Sequence, residues 1–176
     1  DATVRETRPL EEGIPEKIRK RVENDLDAAF YPDSFVVPYI EIVHDRAVEE
    51  VFRGCIRGCR FCQAGMIYRP NREKGVERLK ELAKKMIDST GHEEISLSSL
   101  SSSDYSELEE LINFLMEECE KRKINISLPS LRIDAFSLDI MQKVQDIKKS
   151  SLTFAPEAGS QRLRNVINKG LTIDDI

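Results

Sequence analysis

Apolar positions after residue 46 alternate between two periods, and that alternation is what the chain says most plainly about its fold. Val76, Leu79, Leu82, Ala83, Met86 and Ile87 keep helical spacing from Gly75 to a stop near Gly91. Glu94 to Leu100 reads as a strand. Leu108, Leu111, Ile112, Leu115 and Cys119 then line one face of a second helix, and Ile124 to Leu128 forms the next strand. Ser137 caps a helix running through Lys148, Ser151 to Ala155 is a strand, and Ser160 to Asn168 is a last helix stopped by Gly170. This rhythm predicts an α/β fold of parallel β/α units with right-handed crossovers, about four of them counted from Val48.

The first part of the chain carries a different pattern. Pro15 suits a first helical turn, and Ile14, Ile18, Val22, Leu26 and Ala29 recur at helical spacing up to Phe30, which predicts a charged helical arm. Residues 1–34 are accordingly expected to form an arm or interdomain linker, and residues 35–176 the core domain. Phe35 to Val43 is rich in β-formers but interrupted by Pro38, as in an edge strand. A turn at His44–Arg46 leads into Val48–Phe52, so a β-hairpin is expected to deliver the segment that follows.

Composition narrows the classes without selecting one. The chain has 176 residues, 40% hydrophobic and 34% charged, which suits one globular core and an arm. No run of 18 apolar residues is present, so no membrane span is expected. A net charge of −5 speaks against general nucleic-acid binding. Arg53, Arg57, Arg60, Arg69, Arg72 and Lys74 nevertheless cluster against Glu73 alone. They read either as a basic collar around an anionic site or as a solvated loop.

Inside that cluster lies Cys55-Ile-Arg-Gly-Cys59-Arg-Phe61-Cys62, a C-x3-C-x2-C run. Structural zinc wants four closed ligands, and electron-transfer iron–sulfur proteins usually supply four cysteines. Only Cys119 remains as another thiol. Four cysteines without a signal peptide suit a reducing, cytoplasmic compartment rather than a disulfide framework. The spacing favours an open [4Fe–4S] cluster, with three thiolates on four irons leaving one iron free. The alternative is a non-catalytic module organised by a closed metal site or a passive cluster.

C-x3-C-x-aromatic-C, with Phe61 as the aromatic, resembles the signature of the radical S-adenosylmethionine (SAM) superfamily. The longer run from Phe52-Arg-Gly-Cys55 to Cys62-Gln-Ala-Gly-Met-Ile-Tyr-Arg-Pro70 is similar to a group of these proteins that often carry a cobalamin-binding domain before the barrel. The resemblance implies a six-unit, partly open barrel, of which two units would be missing after Ile176; the exposed edge of a four-unit piece would need a partner's cover. It also implies that Cys55, Cys59 and Cys62 hold the cluster and that SAM chelates the open iron. The reduced cluster would then release a 5′-deoxyadenosyl radical. The same resemblance implies a reductant such as flavodoxin or ferredoxin, cobalamin through a domain outside this chain, and methyl or methylthio transfer as outcomes. An RNA or ribosomal-protein substrate follows from similarity to the methylthiotransferases alone.

Sites in parallel β/α folds collect at the carboxyl ends of strands. Phe61 either contacts the adenine of SAM or plugs the core. In Ser98–Asp104 the family's Gly-Gly-Glu type motif is replaced by hydroxyls, so Ser99 and Ser101 are candidates for the methionyl amino group. Ser103 and Asp104 double as helix N-caps there. Ser130 and Arg132 resemble positions that meet the methionyl carboxylate or ribose, with an Arg132–Asp134 surface pair as the alternative. Phe154-Ala-Pro-Glu157-Ala-Gly159-Ser160 resembles the Gln-Ser-Gly-Ser element of the methylthiotransferases and the elongator catalytic subunit, with Glu157 in place of Gln. Glu157 is thereby a candidate for ribose or substrate, and Gly159 for close backbone approach. Cys119 falls on an apolar helical stripe and reads as core.

Overall fold

Ile95, Ser96 and Leu97 are all buried, so both faces of their strand are covered and that strand sits at the centre. The computed structural model describes residues 3–135, 142–144 and 153–176. Its main sheet is parallel, with β4 (Glu94–Ser98) between β1 (Ala47–Glu50) and β5 (Asn125–Ser127). Ala47 stands opposite Ile95, and Ile95 opposite Ile126, so the three strands end at one common edge. A second, antiparallel pair joins β2 (Phe52–Arg53) to β3 (Arg72–Glu73). The fold is α/β, a partial β/α barrel.

Two amphipathic helices cover the sheet. α2 (Val76–Thr90) packs on β1 and against α3 (Leu108–Arg122), which packs on β5. The stripe predicted for α2 is the stripe buried, and Leu79, Leu82 and Ala83 are within 1% of full burial. Each such leucine contributes about 1.5–3 kcal/mol of hydrophobic stabilisation. Gly75 opens the helix in extended conformation and donates its N–H to Asp27 Oδ1 at 2.8 Å. Gly91 closes it at φ +69°, a left-handed position that favours glycine. At 142–144 the chain is helical, with Val144 in the same core. The rest of the helix expected over Ser137–Lys148 lies outside the described residues.

The N-terminal expectations need correcting. Residues 3–46 contain no helix or strand. Ile18 and Phe30 are almost wholly exposed, and Leu26 is the one buried member of the supposed stripe. Pro9, Gly13 and Pro15 interrupt the segment, and an isolated helix with no face to bury is marginal in water. Phe35–Val43 is not a strand either: Val36, Tyr39 and Val43 are exposed, and Pro38 withholds a ladder donor. The expected hairpin is therefore replaced by two different pairings, β1 with β4 and β2 with β3. Of the strand expected at Ser151–Ala155, residues 151–152 are outside the description and 153–155 are irregular. The last helix, α4 (Gln161–Val166), is capped by Ser160, whose hydroxyl accepts the Leu163 N–H at 3.3 Å.

Candidate functional site

β2 and β3 act as the stem of a loop, residues 54–71, that leaves the carboxyl edge of the sheet. The stem explains Gly54. At φ +99°, a Cβ there would sit 2.7 Å from Pro70 O and 2.8 Å from Asn71 Cα, so no other residue fits. Within the loop is one turn of helix, α1 (Ala64–Ile67). Lys20 donates to the carbonyls of Ile67 and Arg69 at 2.7 and 2.6 Å, and Arg72 donates to those of Pro70, Tyr68 and Glu23. The irregular N-terminal segment thus binds the loop from one side.

Cys55, Cys59 and Cys62 are free, half-buried thiols on this loop. Each sulfur receives an N–H: from the Arg57 backbone to Cys55 at 3.4 Å, from the Gly65 backbone to Cys62 at 3.3 Å, and from Arg132 Nη1 to Cys59 at 4.0 Å. Hydrogen bonds to the sulfurs are usual surroundings of iron–sulfur ligands. The donor set therefore fits a cluster bound by three cysteines. Among the described residues no three His, Cys, Asp or Glu side chains, Cys55, Cys59 and Cys62 included, are grouped closely enough to hold a metal ion. Cys119 is not a fourth ligand. It is buried in the apolar core at the end of α3, where its carbonyl takes the Ile124 N–H just before β5, at the opposite edge of the sheet. Burial pushes its thiol up to about 11.

The strand-end segments come together through ion pairs and through hydrogen bonds to backbone carbonyls, with Ser101 and Arg132 among the expected residues that take part. Arg57 grips Asp104 with two nitrogens, Nε at 2.8 Å, and reaches Asp134 at 3.2 Å. Asp104 is not a helix cap; it also accepts from Ser101 at 2.7 Å, and α3 starts without any side-chain cap at Glu107. Burial pushes the Asp104 carboxyl up, but the bonds from Arg57 and Ser101 outweigh it and hold it below the usual range. From the other side, Arg60 binds the carbonyls of Ile167 and Val166, and Asn168 binds Gly58 O at 2.8 Å. Arg164, almost fully buried, donates to the carbonyls of Ala158, Gly159 and Leu171 and so holds the segment that makes this clamp. Of the basic cluster, Arg53 pairs with Glu50 at 2.8 Å and Lys74 donates to Glu50 O at 2.6 Å. Arg69 reaches Arg57 O at 3.3 Å. The collar is a set of staples, not a ring of free charge.

The individual candidates divide. Phe61 is exposed and does not plug the core. Ser99 is half-buried beside a cavity of about 700 Å³, which is also lined by Glu50, Phe52, Arg53, Gly54 and Tyr68, and bonds Ser102 Oγ at 2.9 Å. Ser101 is buried on Asp104. Ser130 is exposed at φ +61°. The Arg132–Asp134 pair is present but side-chain burial is nearly complete for Arg132, 7% exposed, so it is no surface pair. Glu157, at φ +66°, pairs with Lys169 at 3.3 Å. Gly159 is open, with nothing within 4 Å of a would-be Cβ, so the protein itself makes no close approach there. The sequence marks Arg57 as a member of the basic cluster but carries no sign of its partners, and it gives no functional signal for Asn168 or Lys169.

Among the described residues no helix is long and apolar enough to cross a membrane. The family model for the Radical SAM superfamily matches residues 50–176. An uncharacterized protein of Methanocaldococcus jannaschii is 34% identical over 166 residues, covering 89% of this chain and 36% of its own length. The chain thus spans about a third of the curated relative it matches.

Proposed function

The chain belongs to the radical SAM superfamily, and on that premise we propose that it forms the radical-generating part of an enzyme, with Cys55, Cys59 and Cys62 as the only protein ligands of a [4Fe–4S] cluster. One observation carries this reading. Three half-buried thiols share one stapled loop at the carboxyl edge of a parallel sheet, each sulfur already has an N–H donor, and the fourth cysteine is in the core. When bound, the cluster and SAM supply a 5′-deoxyadenosyl radical by reductive cleavage, for hydrogen abstraction from a substrate.

The residues around it have definable work. Gly54 and the β2–β3 stem fix where the loop leaves the sheet. Arg57, tied to Asp104 and Asp134, fixes the stretch between Cys55 and Cys59. The cavity beside Gly54 and Ser99 has the volume of a small-molecule site, and we assign SAM to it, with Ser99 at its wall. Exposed Phe61 is available to an adenine ring from the loop side. A small reductant protein of the flavodoxin or ferredoxin kind is the partner this chemistry asks for. Methyl or methylthio transfer, and cobalamin with it, would be added by parts other than those described, so the reading stops at hydrogen abstraction.

Anaerobic reconstitution with iron and sulfide, dithionite reduction and chromatography for 5′-deoxyadenosine from added SAM test the proposal. Deoxyadenosine that disappears in Cys59→Ala is the expected result. A verified four-iron cluster that yields none would overturn it in favour of an electron-transfer role. One bound zinc would do so in favour of a structural module.

A further inference from the structure

The family resemblance matches Arg132 to a position that meets the methionyl carboxylate or the ribose of SAM, but all but one of its nitrogens already have acceptors. Nε and Nη2 lie 2.9 Å from the two oxygens of Asp134, and Nη2 also donates to Lys169 O at 2.6 Å. Its backbone N–H is held by Ser103 Oγ at 3.0 Å. Asp134 is itself fixed by Arg57 at 3.2 Å. The one nitrogen without another acceptor among the described residues is Nη1, and it stands 4.0 Å from Cys59 Sγ. With Nε and Nη2 on Asp134 and the second Nη2 proton on the Lys169 carbonyl, only Nη1 is left, so Arg132 has no free pair of donors for a bidentate grip on another carboxylate.

The three sulfurs therefore differ. Cys55 and Cys62 take backbone N–H groups from their own loop. Cys59 takes its donor from a buried cationic side chain 73 residues away. A cation beside a thiolate stabilises the more negative, reduced state of a cluster, and donors to cluster sulfurs raise its potential.

We propose that Arg132, oriented by Asp134, is a positioning residue for Cys59 that eases one-electron reduction of the cluster, and not a ligand of SAM. The inference rests on the cluster reading above. The step is an electron transfer alone: the cluster gains one electron from an external low-potential reductant, and no proton or bond moves.

The test is a spectroelectrochemical titration of the anaerobically loaded full-length protein, reduced with dithionite and followed by electron paramagnetic resonance. It is run without SAM, so that a lost SAM contact cannot cause a shift. Arg132→Met is expected to disfavour reduction about tenfold, equal to about 59 mV for a one-electron couple. Arg132→Lys, which keeps the charge, is expected to recover more than half of that. An unchanged potential in Arg132→Met overturns the proposal. If the Met variant does not load, Arg132→Gln takes its place, with at least a threefold effect expected and no change again overturning. A wild-type protein that takes up no four-iron cluster overturns the parent reading instead, and the two failures are distinct.

Discussion

The sheet with its two helices and the cysteine loop with its clamp are built by different physics. In the first, β4, α2 and α3 bury a continuous apolar stripe, and the partners lie where spacing along each element puts them. In the second, cationic side chains reach backbone carbonyls and carboxylates far along the sequence: Arg57 to Asp104, Arg60 to Val166, Arg132 to Lys169. Apolar burial is non-directional and tolerates small shifts. Charged hydrogen bonds are directional, so they suit a loop that must hold three thiols in place. Losses in the first region should be global and losses in the second local.

The largest effect expected is from Leu111→Ala, at a fully buried site between α3 and the sheet. It should cost about 2–5 kcal/mol in urea unfolding. A smaller loss than from any loop variant would break the comparison.

Glu49 is the exception within the apolar half. It is fully buried on β1 with neither carboxylate oxygen hydrogen-bonded, and burial pushes it up to about 8 from 4.5 even with Lys74 lowering it. The folded chain keeps this proton while the unfolded chain gives it up. Glu49 therefore favours folding least at high pH: stability is full below about 4.5 and is lost as pH rises towards about 8. Glu49→Gln, a neutral isostere, should gain on the wild type by about 2–4 kcal/mol between those limits, in unfolding measured at pH 4.5 and pH 8.5. Parallel pH profiles would show that the carboxyl titrates normally.

Arg57→Met leaves Asp104 buried without its cation. About 1–3 kcal/mol should be lost, with hydrogen exchange rising at residues 54–71 before it rises in α2. Equal acceleration in both would mean that the two regions open as one unit. The smallest effect is expected from Asn168→Ala, which removes one bond to Gly58 O. The expected cost is about 0.5–1.5 kcal/mol, seen as faster exchange near Gly58–Cys62 and a small fall in the midpoint of unfolding.

The same division decides what could be read from the sequence. The stripe of α2 and its Gly75 and Gly91 limits were legible because period and caps are local. The family was legible because its cysteine signature is written in eight consecutive residues. Asp104 was not: just before a helix it looks like a cap, and only the fold reveals Arg57 across 47 residues. The arm misled for a related reason. Helical spacing from Ile14 to Leu26 says nothing about whether a surface exists to receive the stripe, and Ile18 meets solvent. Adjacency in sequence suggests a hairpin for β1, whereas its partner is β4, with Ala47 opposite Ile95, a register only the fold reveals.

The clamp from α4 onto the cysteine loop also sets an order in time. Its bonds join residues 106 and 110 positions apart, Arg60 to Val166 and Asn168 to Gly58. A chain made from its amino end presents all three thiols before those carbonyls and that amide exist. At about 5–20 residues per second the interval is about 5–20 s. For that long the loop is without the two bonds that tie it to α4 and to Asn168 beyond it.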